Sequence, residues 1–286
     1  MRRFWMVCLV CLLIGFVTGI GYAQQKPVYG GALTVAQGVE PPGLDPTTAT
    51  SAAIPRVVYT NLLEGLVRID RGGQIAPALA ERHMISKDGK EYTFFLKKGV
   101  KFHDGKPFDA EDVRFTFERL RDPKAGIAHP EYYTDIESVQ AVDSATVKIK
   151  MKNVNSLFIF NLARPDSIIV SKQSVDKLKT APVGTGPFRF VEWARGSHIS
   201  LAQFDGYHRK GLPYLNKVTF KFIGDPSAQV ASLKAGDIDV IGYDVSPENA
   251  RLLEKDPKYK VLDGNTTNKV VLSTNNSRKP FTDVRV

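Results

Sequence analysis

Five histidines, His83, His103, His129, His198 and His208, are the first residues in this chain whose chemistry could matter. They are scattered, and no two stand at the spacing of a metal-ligand pair. His103-Asp104 is the one adjacent His–carboxylate pair, and it sits in a Phe-His-Asp-Gly turn in which His103 reads as a surface or packing residue. Asp237 and Asp239 bracket the start of a short strand. As a glycosidase pair they would need a defined separation, and their ordinary reading is capping and turn formation. No P-loop, G-x-S-x-G elbow or H-E-x-x-H motif occurs. Asn265-Thr-Thr267 and Asn275-Asn-Ser277 match glycosylation sequons, a pattern short enough to arise by chance. Gly184-Thr-Gly-Pro-Phe188 supports two readings. Its glycines would let the backbone approach a ligand with N–H groups free to donate. Equally, Gly-Pro would make a plain turn before the next strand. No catalytic centre, metal site or cofactor is expected.

Alternation and capping signals define the elements that would carry these residues. Ala32–Gln37 reads as a first strand, followed by the loop Glu40-Pro-Pro-Gly-Leu-Asp-Pro46, where three prolines forbid regular pairing. Ser51 is placed to cap a helix towards Glu64, with Ile54, Val57, Val58 and Leu62 on one face. Tyr92–Leu96 is a strand, and Asp109 an N-cap for a helix over Ala110–Leu120. Val147, Ile149 and Met151 alternate with Lys148 and Lys150, so Ile136–Val142 and Thr146–Met151 form a hairpin. A second hairpin joins Phe188–Trp193 to His198–Phe204. Strand and helix then alternate: Val218–Phe222, Ser227–Ala235 ended by Gly236, Asp239–Ile241, Pro247–Leu253, and strands near Tyr259–Leu262 and Lys269–Ser273. The last third is thus α/β and the middle third hairpin-rich, with boundaries near Gly72 and Gly184.

Composition is that of an ordinary globular chain: 286 residues, 43% hydrophobic, 24% charged and 10% aromatic. Arg2 and Arg3, the apolar run Phe4–Ile20 and the small residues of Gly21-Tyr22-Ala23 read as a cleaved signal peptide over residues 1–23. An uncleaved anchor is the alternative, since the run is near the lower length limit for a membrane span. Cys8 and Cys11 each follow a valine inside the apolar core, which argues against lipidation, and cleavage would leave no cysteine. The net charge of +9 falls to +7 with the loss of Arg2 and Arg3. The remaining basic residues are interleaved with acids, as on a solvated face rather than a nucleic-acid surface. A monomer outside the cytoplasm is expected.

Several stretches together resemble the family 5 extracytoplasmic solute-binding proteins of ABC importers. They are Gly30–Gln37 with Leu44-Asp-Pro46, Ile75–Ala80, Ser86–Phe94, Leu96–Gly105, Asp109–Val113, Val183–Phe188, Glu192-Trp193, Gly211–Leu215, Leu233–Val240 and Pro280–Val286. They follow one another in family order over the whole chain beyond the signal peptide. The resemblance implies a type II-like periplasmic binding fold, with two hinged lobes closing on a ligand and an inserted hairpin-rich α+β subdomain. On that frame residues 24–71 and 184–286 belong to the first lobe and 72–183 to the insertion. Pro280-Phe-x-Asp-x-Arg-Val286 leads into the second lobe in the family, so the expectation is an N-terminal fragment with that lobe missing.

By position, the resemblance assigns Thr50, Ser51 and Ala52 to the first-lobe wall of the cleft. Gly184, Thr185 and Gly186 are expected nearby, and Asn275 close to the lobe boundary. Tyr132 or Tyr133 is a candidate to reach in from the insertion, against the plainer reading of a packed tyrosine. Departures occur at Tyr207-His208, where relatives often have Tyr-Trp, and at Arg82-His83. The function implied is capture of di- or oligopeptides and delivery to inner-membrane permease subunits driven by separate ATPases. Family relatives also carry nickel complexes, haem, glutathione, sugars and opines. A sensory receptor or an exported hydrolase are the rival classes, the latter needing a nucleophile or carboxylate pair that the sequence does not offer.

Overall fold

Alternation and capping decide the local structure wherever both are strong. In the computed structural model, which describes residues 27–243, 245–264, 277–279, 282 and 283, sixteen regular elements follow in order. They are β1 (Ala32–Gln37), α1 (Ala53–Val58), β2 (Val67–Ile69), β3 (Ile75–Pro77), β4 (Ala80–Ile85), β5 (Glu91–Leu96) and α2 (Ala110–Arg121). Then come β6 (Ile136–Asp143), β7 (Thr146–Met151), α3 (Phe158–Asn161), β8 (Phe188–Ala194), β9 (His198–Gln203), β10 (Lys217–Phe222), α4 (Pro226–Ala235), β11 (Val240–Ile241) and α5 (Pro247–Glu254). The signal-peptide reading, both cysteines, Asn275 and the strand expected near 269–273 lie outside the described residues.

The elements form two main sheets. β4-β5-β7-β6 is antiparallel throughout, and α2 lies against β6 and β7. Asp109 caps α2 as its sequence predicts: its Oδ1 accepts the Glu111 N–H at 2.9 Å, and the Asp109 N–H donates to Asp112 Oδ2 at 3.2 Å. The stripe Val113, Phe117 and Leu120 is fully buried and joins Phe94, Phe102, Tyr133 and Phe158 in one apolar core. The second sheet has the order β11-β1-β10-β9-β8, with β1 parallel to both β10 and β11 and β9 antiparallel to its two neighbours. Its core gathers Ile54, Val57, Leu62, Ile168, Ile199 and Leu201.

Three expectations are corrected. The helix from Ser51 towards Glu64 stops at Val58, and its N-cap is Ala52 with no side-chain cap. Tyr59 is extended and Thr60 takes φ +61°, while the Asn61 side chain donates to the Val57 carbonyl at 3.0 Å. The turn thereby presents the Asn61 and Leu62 carbonyls to the N–H groups of Phe188 and Gly186, both at 3.0 Å. A tertiary pairing has overridden helical periodicity. Near Tyr259–Leu262 no strand forms, because none of those residues finds a partner strand among the described residues. Conversely β2, β3 and β4 form where their sequence carries little alternation, held by pairing with each other or with β5.

Candidate functional site

Parallel strands leave their carboxyl ends on one edge, and in open α/β sheets that edge is where ligands bind. Here β1, β10 and β11 end together at Gln37, Phe222 and Ile241. Gln37 is only 2% exposed and organises the rim. Its side-chain N–H groups donate to the carbonyls of Val39 at 2.8 Å and Ala53 at 3.2 Å, which ties the chain after β1 to the start of α1. Its own carbonyl accepts the Ile223 N–H at 3.0 Å, and the Gly242 N–H reaches the Ala36 carbonyl at 3.3 Å.

Thr50, Ser51 and Ala52 lie on this rim, Thr50 and Ala52 exposed and Ser51 half-buried. Beside them the Arg56 guanidinium stacks 4.4 Å from the centroid of the exposed Tyr243 ring. The β8–β9 turn closes the other flank. Trp193 donates through its indole N–H to Glu40 at 2.8 Å, the Gly196 N–H donates to the other Glu40 oxygen at 3.0 Å, and Arg195 lies 3.3 Å above the Trp193 ring. Exposed Val39 and Tyr243 supply apolar and aromatic surface between these polar groups. On this edge His198 Nε2 lies 3.3 Å from the exposed Glu192 carboxylate as a surface pair, and among the described residues no group of acids, histidines or cysteines is arranged to hold a metal. The arrangement suits binding.

The segment Gly184–Gly186 packs against the 59–64 turn. Both glycines are buried, and Thr185 is 1% exposed. A Cβ on Gly184 would stand 2.0 Å from the Leu62 carbonyl oxygen, and one on Gly186 2.5 Å from that of Asn61. The expected free N–H groups are spent: Gly184 donates to His103 Nδ1 at 3.2 Å and Gly186 to Leu62 O. His103 Nε2 returns a bond to the Gly186 carbonyl at 3.0 Å, so the ring is neutral with its proton on Nε2. Burial, the largest cause, holds its pKa down at about 4. His103 is therefore a junction residue rather than a surface one.

Next to it, the buried Glu64 carboxylate accepts from the Thr185 hydroxyl at 3.0 Å, the Tyr207 hydroxyl at 3.2 Å and His208 Nε2 at 3.0 Å. Three donors compensate the burial of one carboxylate. His208, one of the two sites that depart from the family pattern, is thus part of this network. Tyr133 is fully buried, its hydroxyl bonded to Ser167 at 2.8 Å, and does not reach a surface. Tyr132 stacks on His129, and the Arg164 guanidinium lies 4.5 Å from the centroid of the Tyr132 ring. Asp239, whose Oδ2 accepts the Thr34 N–H at 2.7 Å, acts as a cap between β1 and β11.

The rim residues Gln37, Glu40, Arg195 and Tyr243 escaped sequence reasoning. A polar residue closing a strand before Gly38 was the one available signal for Gln37.

An α/β lobe with an open polar rim at the carboxyl ends of its parallel strands is the architecture of solute-binding proteins. The chain resembles the PBP AgaA from A. tumefaciens R10 in complex with agropinic acid (TM-score 0.74, 36% identity, 79% of this chain and 46% of that one). It is also similar to the periplasmic binding protein DppA from Helicobacter pylori in complex with peptide STSA (TM-score 0.73, 31% identity, 80% and 50%). Among curated proteins, the glutathione-binding protein GsiB of Pectobacterium atrosepticum is 32% identical over 247 residues, 85% of this chain and 48% of the relative. The family model for bacterial extracellular solute-binding proteins, family 5, matches residues 74–286. The chain belongs to that family, and it spans about half the length of the curated relatives it matches.

Proposed function

We propose that this chain is the first-lobe part of an exported receptor that captures a small solute, with peptides as the leading class, and delivers it to the permease of an ABC importer. The observation carrying this reading is the rim at the carboxyl ends of β11, β1 and β10, where Gln37 holds the Thr50–Ala53 segment against the sheet. Thr50, Ser51 and Ala52 form the wall that meets the ligand. Gly184, Thr185 and Gly186 support that wall from behind through the 59–64 turn, and Asn275 belongs to the lobe boundary. A second lobe supplies the opposing wall and the groups that choose the solute. Two separate apolar cores support an inserted subdomain on the first lobe, proposed as residues 72–183 on 24–71 and 184–286, with Leu66 and Val67 packing into the subdomain core and Ile168, Val170 and Leu178 into the lobe core. Residues 1–23 act as a cleaved signal peptide and direct the protein to the periplasm; among the described residues no helix is long and apolar enough to cross a membrane. The protein works as a monomeric, non-catalytic carrier.

The names of the relatives span peptides, glutathione, agropinic acid and a nickel–histidine complex, which keeps a non-peptide solute as the second reading. The test is a thermal-shift screen on a chain that carries these residues together with the second lobe, against dipeptides, oligopeptides, glutathione, nickel chelates and sugars. A ligand at a hundredfold excess over its Kd stabilises by about 2.7 kcal/mol. Response to peptides supports the leading class; response only to another solute replaces it.

A further inference from the structure

The opposite edge of the same sheet carries a cavity of about 640 Å³. It lies where β8 begins and β10 begins, walled by the 59–65 turn, the β2–β3 hairpin and the 207–215 loop. Six-residue strands rising about 3.3 Å per residue separate it from the solute rim by roughly 20 Å. Its size is within the range of small-molecule sites.

Three arginines, Arg68, Arg71 and Arg209, line it. Among the described residues the guanidinium groups of Arg68 and Arg71 make no hydrogen bond or ion pair. The nearby acids are already engaged. Glu64 accepts from three side chains, and Asp70 Oδ1 accepts the N–H groups of Gly72 at 2.8 Å and Gln74 at 2.9 Å. The Lys97 ammonium adds a further cation close by. Burial first, and then the charges of Arg209 and Arg68, lower its pKa, with Glu64 opposing. The remaining wall combines apolar Phe188, Leu212 and Pro213, of which Phe188 and Pro213 are buried, with Thr60 and tyrosines such as Tyr59 and Tyr207. Cations gathered in a pocket with its acids already bonded, beside a partly apolar wall, match an organic anion.

We propose that this cavity is a second ligand site, taking a compact organic oxyanion, a carboxylate or a phosphate ester, with Arg68 and Arg209 as its clamp. This goes beyond the solute-capture reading, since the cavity opens on the other edge of the sheet.

The experiment is isothermal titration calorimetry at low ionic strength on the full chain, with citrate and phenyl phosphate as probes, using wild type, Arg68→Gln/Arg209→Gln and the control Lys172→Gln. Lys172 lies outside the cavity, along α2. At least one probe is expected to bind wild type and K172Q equally and to weaken about tenfold or more in the double variant. Binding of citrate alone identifies a carboxylate ligand, and of phenyl phosphate alone a phosphate ester. No heat with either probe, an unchanged Kd in the double variant, or an equal loss in K172Q would overturn the proposal. If the double variant does not fold, Arg209→Gln alone, at an exposed loop position, carries the same comparison.

Discussion

Replacing Gly184 with alanine tests the junction between the 59–64 turn and β8 most directly. The new Cβ would sit 2.0 Å from the Leu62 carbonyl oxygen, 2.7 Å from Leu63 Cδ2 and 2.9 Å from the Leu62 carbonyl carbon. Two of those three atoms are backbone, so no side-chain rotation relieves the overlap. The Leu62 backbone is itself held at both ends, its N–H on the Val58 carbonyl at 2.9 Å and its oxygen under the Gly186 N–H at 3.0 Å. Moving the strands apart by about 1 Å therefore costs overpacking strain of about 1–3 kcal/mol. It also stretches the Gly186–Leu62 and Phe188–Asn61 bonds, each worth about 1 kcal/mol. The expected loss is about 3–5 kcal/mol. At about 2–4 °C per kcal/mol for a chain of this size, Tm should drop by roughly 6–20 °C.

Gly236→Ala is the matched control. Gly236 ends α4 at φ +85° with nothing within 4 Å of an added Cβ, so only the left-handed backbone penalty of about 1–2 kcal/mol applies. Urea unfolding followed by circular dichroism compares the two. If G184A loses no more stability than G236A, the steric argument fails.

Three further outcomes are expected. The His103 pKa is depressed in the fold, so the unfolded chain binds more protons between about pH 4 and its ordinary 6.5, and stability is present above that window and lost as pH falls through it. Asp112, raised by burial to about 6, acts in the opposite sense, its contribution lost as pH rises. The measurement is therefore the difference between wild type and H103Q. It should grow by on the order of 3 kcal/mol from pH 4 to 6.5, and a flat difference would refute the neutral-junction assignment. Asp109→Ala removes the capping box of α2 and should cost about 0.5–2 kcal/mol in urea unfolding, with Asp109→Asn closer to wild type. Gln37→Leu strips the buried Ala53 carbonyl and the carbonyl of exposed Val39 of their donor, a loss of about 1–3 kcal/mol. In a two-lobed chain it should also weaken solute binding, whereas Asp109→Ala should not.

Most of the elements were legible because their signals are local. The β6–β7 hairpin, α2 with its Asp109 cap, the β8–β9 hairpin and α4 with Gly236 depend on alternation, capping and left-handed glycine, all of which act within a few residues. What failed did so where distant partners compete. The apolar face of 54–62 is helical in spacing, yet the chain leaves the helix at Tyr59 to offer carbonyls to Gly186 and Phe188, more than a hundred residues away. Gly184 and Gly186 were legible as positions of close backbone approach. The identity of what approaches was not: it is the 61–62 backbone rather than a ligand.

By itself the amino-acid sequence determined the family and most of the strands and helices, since motifs, residue types and short-range patterns are written along one dimension. Only the tertiary structure decided which of those residues share an edge. Gln37, Thr50–Ala52 and Tyr243 share the carboxyl rim because β1 runs parallel between β10 and β11, while Arg68 on the β2–β3 hairpin and Arg209 in the loop before β10 line one cavity at the other edge. Parallel pairing of strands some two hundred residues apart is fixed by the burial of both faces of one sheet, a cooperative term that no single segment carries.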